Sequence, residues 1–394
     1  MIHIFINAIS ASAGGGLTYV RNVVPRLALR EDVRTTLLIG KMLHGEINES
    51  KRVMVLKQSY PEDSLKRFWY EQRRLPSVIR RSQADVLLST GNFALFHSPV
   101  PQILLSRNAL YLSADFLRDI RDRDDYGLWM DTKIKARFAR WSIRSADVTV
   151  APSQTFAREL QQWTGKKVTC IHHGFDCQTF LQNDAELPEK VQSQLATPEE
   201  AVRILFVSHY NYYRNFETLI RAIATLKQKL HPRPVRLILT CKLVTKENPG
   251  SYQADTAAGL VRELDLEKEV MELGAVPYSA LHNLYRACDV YATPAYAETF
   301  AHPLVEAMAS GLPVIASDIA VHREICGQAA VYFPRFDHET LAARVIGVIE
   351  SGRQRTAMRE MGLSRAQDFS WEKHVDELLQ LARQLVNLKE SAVA

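Results

Sequence analysis

The residues with the clearest chemical potential lie in one short run, Glu298-Thr-Phe-Ala-His-Pro-Leu-Val-Glu306. Pro303 suits the first turn of a helix, where its missing N–H is not needed. Glu298 then falls in the loop after a strand, and Glu306 lies one turn inside the helix. A carboxylate in that place accepts hydrogen bonds from two neighbouring hydroxyls, as a ribose or a hexose presents them. The amides of Thr299 to His302 point toward any anion at the helix start. The run continues to Asp318, with Gly311 ending the helix and Pro313 leading into the next strand. An isolated acid at a helix start is an ordinary solvated residue; the complete string points to a site instead.

Gly14, Gly15 and Gly16 follow the first strand and open a helix near Leu17. Lacking Cβ atoms, they let backbone amides approach a phosphate at the positive end of that helix. A plain tight turn is an equal reading. The spacing is not G-x-G-x-x-G, and no acid follows the second strand to hold a ribose, which disfavours a dehydrogenase. His172 and His173 have no third ligand at a sensible spacing and read as loop histidines, not as a metal site.

Such residues need elements that deliver them to one edge. Strand candidates in the first half are Ile2–Asn7, Thr35–Ile39, Val53–Leu56, Asp85–Ser89, Gln102–Leu105, Asp147–Ala151 and Lys167–Ile171. Helical periods lie between them at Leu17–Leu29, Ser64–Arg80, Lys133–Arg144 and Gln154–Trp163. The polar stretch Gln182 to Glu200, with Pro188 and Pro198, interrupts the rhythm and reads as the interdomain linker. Alternation restarts with Arg203–Val207, Arg214–Leu230, Val235–Leu239, Ala254–Leu264, Val270–Gly274, Ser279–Ala287, Val290–Thr293, Pro303–Ser310, Val314–Ser317 and Val331–Phe333. Apolar strands separated by helices predict parallel sheets covered on both faces. The tail from Ser370 to Leu388 spaces Val375, Leu378, Leu379, Leu381, Leu385 and Val386 along one helix face. Two doubly wound domains follow, 1–180 and 200–368, with ligands expected in the crevice at the strands' carboxyl ends.

Composition agrees and narrows the partners. Lys plus Arg total 49 against 44 acids, a formal charge of +5, without a basic block or reader motif, which excludes a nucleic-acid partner as the reading. Five scattered cysteines, Cys170, Cys177, Cys241, Cys288 and Cys326, read as reduced thiols of a cytoplasmic protein. The run Met1 to Ala8 lacks a basic n-region and a cleavage site, so it reads as a strand and not a signal peptide. No stretch approaches the roughly 20 apolar residues of a membrane-spanning helix.

The Glu-x7-Glu run with Glu306-Ala-Met-Ala-Ser-Gly-Leu-Pro-Val-Ile-Ala-Ser-Asp318 resembles the retaining glycosyltransferases of family 4, which have the GT-B fold. The glycine turn is similar to that family's loop facing the donor diphosphate. Ser145-Ala-Asp-Val-Thr-Val-Ala-Pro-Ser153 is similar to the strand closing its N-terminal domain, and His173-Gly-Phe-Asp176 stands where N-G-V-D is common. The final helix, 370–390, resembles the one that returns to the first domain, which implies that it joins 1–180. The resemblance implies two Rossmann-like domains, a nucleotide-diphosphate sugar donor, a saccharide or lipid-linked saccharide acceptor, and no cofactor or metal. Asp122, Asp124 and Asp125 form no metal-binding D-x-D in the donor crevice.

By the same resemblance, Glu306 holds the ribose, Glu298 contacts the transferred sugar, and the amides around Phe300 and Ala301, with Gly15 and Gly16, face sugar and phosphate. Arg214 falls where the family has a lysine that neutralises the leaving diphosphate. His209 falls on the companion arginine, a departure that removes a fixed charge unless the ring is protonated. Ala301 is a second departure, standing where glycine is usual; the added methyl either constrains the donor or fits a standard loop. In the N-terminal domain Arg107 and Asn108 occupy the usual His-Asp place toward the sugar, with Gly91, Asn92 and His97 near the same rim. The rivals are a sugar-nucleotide epimerase of the same fold and a catalytically silent nucleotide-sugar-binding module.

One further pattern concerns membranes. Lys66, Arg73 and Arg80 recur every seven residues, as do Arg67, Arg74 and Arg81, opposite Leu65, Phe68, Trp69, Leu75 and Ile79. Pro76 is expected to kink or split this helix. The basic side reads either as a solvated surface or as a peripheral contact with anionic lipid at the membrane's inner face.

Overall fold

The computed structural model describes residues 1–11, 15–57, 60–61, 63–182, 185–196, 200–250 and 252–393. Gly14 lies outside the described residues. Two compact units result: Met1–Leu112, Met130–Gly174 and Ser370–Ala394 form the first, and Ser113–Trp129 with Phe175–Phe369 the second.

The first unit carries strands β1 (Ile2–Ala8), β2 (Val33–Ile39), β3 (Val53–Leu56), β4 (Val86–Ser89), β5 (Gln102–Leu105), β6 (Val148–Ala151) and β7 (Val168–Cys170). They form one parallel sheet in the order β3-β2-β1-β4-β5-β6-β7. Successive residues of β1 point to opposite faces, as the pleat demands. Ile2, Ile4, Ile6 and Ala8 pack with Val20, Val23 and Leu27 of helix Gly15–Ala28 and with Val375, Leu378 and Leu379 of the tail helix Trp371–Val393. Phe5 and Ile9 pack on the other face against Leu75 and Ile79 of helix Ser64–Ser82. The tail therefore belongs to the first core, as the family resemblance implies.

The second unit carries β8 (Val202–Phe206), β9 (Val235–Leu239), β10 (Val270–Glu272), β11 (Val290–Thr293), β12 (Val314–Ser317) and β13 (Ala330–Phe333). Its parallel sheet runs β10-β9-β8-β11-β12-β13. Both units thus share one doubly wound order, reversing between β1 and β4 in one sheet and between β8 and β11 in the other. Three aspartates set the register at the opposite edge. Asp85, Asp147 and Asp289 precede strands and accept the amides of His3 at 2.7 Å, Gln102 at 2.7 Å and Arg203 at 2.8 Å.

The structure changes four expectations. Helix Ser64–Ser82 runs through Pro76 as one element, neither split nor replaced by two. On it Leu65 and Trp69 are exposed beside the cations, while Phe68, Leu75 and Ile79 are buried, so the apolar stripe is narrower than the sequence pattern implied. Residues Ser113–Trp129 cluster with the second unit and not the first, because their charges find partners there. Arg123 pairs with Glu217 at 2.9 Å, Arg335 with Asp115 at 2.6 Å, and Tyr296 donates to Asp119 at 2.6 Å. Finally, the expected linker contains helix Glu189–Leu195, and the change of unit falls earlier, after Gly174. A Cβ on Gly174 would sit 2.2 Å from the Trp371 backbone nitrogen, so glycine lets the tail enter against this turn. No helix among the described residues is long and apolar enough to cross a membrane.

Candidate functional site

In the second unit, β8 and β11 are neighbours, and the loops after them carry the chemistry. Asn211 begins a turn by accepting the Arg214 amide at 3.2 Å. Asn215 then adopts a left-handed backbone, φ +56°, which asparagine tolerates better than most residues. Its amide group donates to the carbonyls of Pro294 at 3.2 Å and Arg335 at 2.7 Å. Tyr296 N–H donates to the Tyr213 carbonyl at 3.0 Å. These bonds stitch the loop of Arg214 to the loop of Glu298.

Arg214 and Glu298 form an ion pair. The Glu298 side chain is only 8% exposed and that of Arg214 18%, so both charges are largely withdrawn from water. The Arg214 guanidinium also lies 5.2 Å from the Tyr213 ring centroid, and its buried Nε has no hydrogen-bond partner among the described residues. The cation expected at the leaving group is thus held by the acid expected at the sugar. That link was not part of the sequence reading.

His209 follows β8 on the same loop. Partial burial of the ring, and next the Arg214 charge, hold its pKa below the ordinary imidazole value. The ring is therefore neutral at neutral pH in the free protein, and Arg214 carries the fixed positive charge of this loop. His209→Arg is expected to raise kcat/KM roughly tenfold at pH 8 by adding a second cation toward the phosphates. The gain should shrink as pH falls through the lowered pKa of the native imidazole, which then carries a proton itself. A gain constant across that range, or no gain, in steady-state kinetics counts against the assignment.

Helix His302–Ala309 begins at Ala301, whose backbone is left-handed, φ +66°. This explains the family preference for glycine here: the conformation disfavours any Cβ by about 1 kcal/mol or more. Pro303 occupies the first turn, as its fixed φ predicts. Phe300 is buried against Phe369, ring centroids 5.2 Å apart, anchoring the loop.

Glu306 is buried, 6% exposed. Tyr285 Oη donates to its Oε2 at 2.8 Å, and Tyr278 hydrogen-bonds it too. Burial pushes its pKa up to about 7 despite both bonds. Tyr278 and Tyr285 escaped the sequence reading. Their signal was present: seven residues apart in Tyr278–Arg286, they share a helix face. His322 was missed as well. It is fully buried, its Nδ1 lies 3.0 Å from Ser317 Oγ, and burial brings its pKa down to about 4.

In the first unit, Gly15 and Gly16 open their helix as expected. A Cβ on Gly16 would lie 3.3 Å from Ala11 Cα, whereas one on Gly15 would meet nothing. Arg107 reaches this turn. It donates to the carbonyls of Gly15 at 2.8 Å and Thr90 at 2.6 Å, and its guanidinium sits 5.3 Å from the Tyr19 ring centroid. Burial lowers its pKa to about 10, so it stays charged, and among the described residues it forms no ion pair. Asn92 accepts the Arg107 amide at 2.6 Å, and Asn108 caps the turn Ala109–Tyr111. Those two asparagines shape backbone. His97 is exposed, and no hydrogen bond among the described residues joins it to Arg107.

Residues 189–365 match the family described as Glycosyl transferases group 1, and residues 13–179 match Glycosyltransferase Family 4. The chain belongs to the family 4 glycosyltransferases. Among curated relatives of this glycosyltransferase is the D-inositol 3-phosphate glycosyltransferase of Kineococcus radiotolerans, 30% identical over 62% of this chain and 58% of that protein. The protein of the same name from Corynebacterium aurimucosum is 27% identical over 58% of this chain and 55% of its own. The aligned region thus spans somewhat over half the length of these relatives. Among solved structures, sucrose-phosphate synthase from Thermosynechococcus elongatus superposes with a TM-score of 0.78 at 19% identity, covering 98% of this chain and 100% of that one. Anabaena HepE in complex with UDP-glucose gives 0.74 at 18% identity, with coverage of 98% and 100%. These neighbours share the two-domain GT-B fold.

Proposed function

We propose that this family 4 glycosyltransferase transfers a sugar, with retention and without a metal ion, from a nucleotide-diphosphate donor to a hydroxyl of a saccharide or lipid-linked saccharide. The observation that carries the reading is the Arg214–Glu298 pair at the reversal point of the second sheet, on the same unit as the buried Glu306. An open parallel sheet binds ligands at that edge. Glu306 accepts ribose hydroxyls, the amides at the start of His302–Ala309 face the phosphates, and Arg214 meets the charge that grows on the leaving group. The sugar C1–O bond to the diphosphate breaks as a bond from C1 to the acceptor oxygen forms on the same face. The acceptor proton passes to the departing phosphate. The named relatives and the UDP-glucose complex of HepE support a nucleotide-sugar donor.

The test incubates the full chain with radiolabelled nucleotide sugars and a saccharide panel, then reads the anomeric configuration of any product by NMR. Acceptor-dependent consumption with retention, undiminished by EDTA, is expected. Donor turnover without an acceptor and with inversion at a sugar carbon would establish the epimerase instead. Binding with no slow hydrolysis or transfer would establish a silent module. A phosphorylated polyol belongs in the panel, because Arg107 offers a half-buried cation with no ion pair among the described residues and the relatives are named for such an acceptor.

A lipid-linked acceptor requires access to a membrane surface, and the first unit offers one. Lys66, Arg73, Arg74, Arg80 and Arg81 are exposed and make no ion pair among the described residues. Leu65, 55% exposed, and Trp69, 49% exposed, stand among them. Cations around a protruding Trp suit an anionic bilayer interface, each cation contributing about 1 kcal/mol. Co-sedimentation should need anionic vesicles, fade with salt, and drop when Arg73, Arg74 and Arg80 become Glu. Equal binding to neutral vesicles, or none to anionic ones, leaves a solvated helix.

A further inference from the structure

Helix Ser64–Ser82 buries Phe68, Leu75 and Ile79, and one acid interrupts that face, Glu71. The spacing of three and four residues from its apolar neighbours points this carboxylate inward. The helix brings it to the carboxyl end of β1, where Asn7 Nδ2 donates to Glu71 Oε2 at 2.8 Å. Asn7 is opposite Ser89 of β4, so this contact lies where the order of the first sheet reverses. The rim there is polar and closely built. Thr90 Oγ1 donates to the Asn7 carbonyl at 2.9 Å, and Gln72 holds the loop after β4 through the Ala94 carbonyl at 2.9 Å and the Phe96 amide at 3.0 Å.

A carboxylate has about four places for hydrogen-bond donors. Glu71 fills one of them. Its side chain is 13% exposed, Arg67 Nε faces Oε1 at 3.9 Å, an ion pair too long for a hydrogen bond, and burial pushes its pKa up to about 7. Among the described residues Oε1 accepts no hydrogen bond, and the side chain keeps part of its exposure. Withdrawing a carboxylate from water with one donor and a distant cation leaves it under-satisfied, whereas a polyol supplies the missing donors. We propose that Glu71, braced by Asn7, is a specificity-determining residue for the acceptor, taking a hydrogen bond from an acceptor hydroxyl on its open Oε1. The inference rests on the polyol or saccharide acceptor proposed above.

The experiment uses the full chain with the donor and acceptor that the panel identifies, at pH 8, where the Glu71 carboxylate is ionised. Glu71→Gln should raise the acceptor KM roughly tenfold or more, as expected for one lost charge-assisted hydrogen bond. Donor affinity, acceptor-independent donor hydrolysis and Tm should stay at wild-type values. Glu71→Asp keeps the charge but withdraws the oxygen by one methylene, and should raise the acceptor KM likewise. Unchanged acceptor KM in both variants overturns the inference, and so does a general loss of activity that tracks a fall in Tm. Wild-type failure to transfer to any polyol or saccharide overturns the acceptor reading together with this one, which separates the two failures.

Discussion

Arg214→Ala is expected to lower turnover by roughly 10²–10³, the scale found when a group that stabilises transition-state charge is removed. Donor affinity should change less, because the charge on the leaving diphosphate grows as the C1–O bond breaks. The structure adds a second consequence. Glu298 would remain largely buried with its cationic partner gone, so stability should fall by about 1–3 kcal/mol. Adding Glu298→Gln to Arg214→Ala should recover much of that stability and none of the turnover. Melting temperature and kcat across the four proteins separate the two effects. If the double variant regains turnover, or if Arg214→Ala changes KM alone, Arg214 does not act on the leaving group.

Glu306 should dominate donor affinity. Glu306→Ala is expected to weaken donor binding by about 2–3 kcal/mol, the loss of hydrogen bonds to a charged acceptor. Glu306→Gln should weaken it less while keeping the contacts with Tyr285 and Tyr278. The carboxyl's pKa of about 7 gives this prediction a pH signature. Below pH 7 the native carboxyl is protonated and loses acceptor capacity, so donor affinity should fall as pH drops through that value. In Glu306→Gln this dependence should disappear. Folding stability runs the other way. A folded-state pKa above the ordinary glutamate range favours the fold fully at low pH, and that contribution is lost as pH rises through 7. Calorimetric titration of the wild type and Glu306→Gln at pH 6 and pH 8 decides the matter; equal donor affinity at both values in the wild type would refute the role.

The amino-acid sequence by itself determined the parallel sheets, the apolar face of the tail helix, the loops that carry Glu298 and Arg214, and the helix that carries Glu306. Those features are local. Apolar runs and helical periods state which face is buried, while Pro303 and Gly311 mark where a helix begins and ends. The tertiary structure decided what those side chains meet. Glu298 and Arg214 are 84 positions apart, and no period of 2 or 3.6 links them. The depth that raises the Glu306 pKa, and the tyrosines that hold its carboxylate, come from a helix some twenty residues upstream. Ser113–Trp129 reads as part of the first domain until Arg123 and Asp115 find partners in the second. Glu71 is an acid on an apolar face in the sequence, and only the end of β1 shows that Asn7 is its hydrogen-bond donor while the other oxygen meets Arg67 at no closer than 3.9 Å. Periodicity encodes the direction in which a side chain points, but an ionisable group's charge and bonding depend on what the completed fold places beside it.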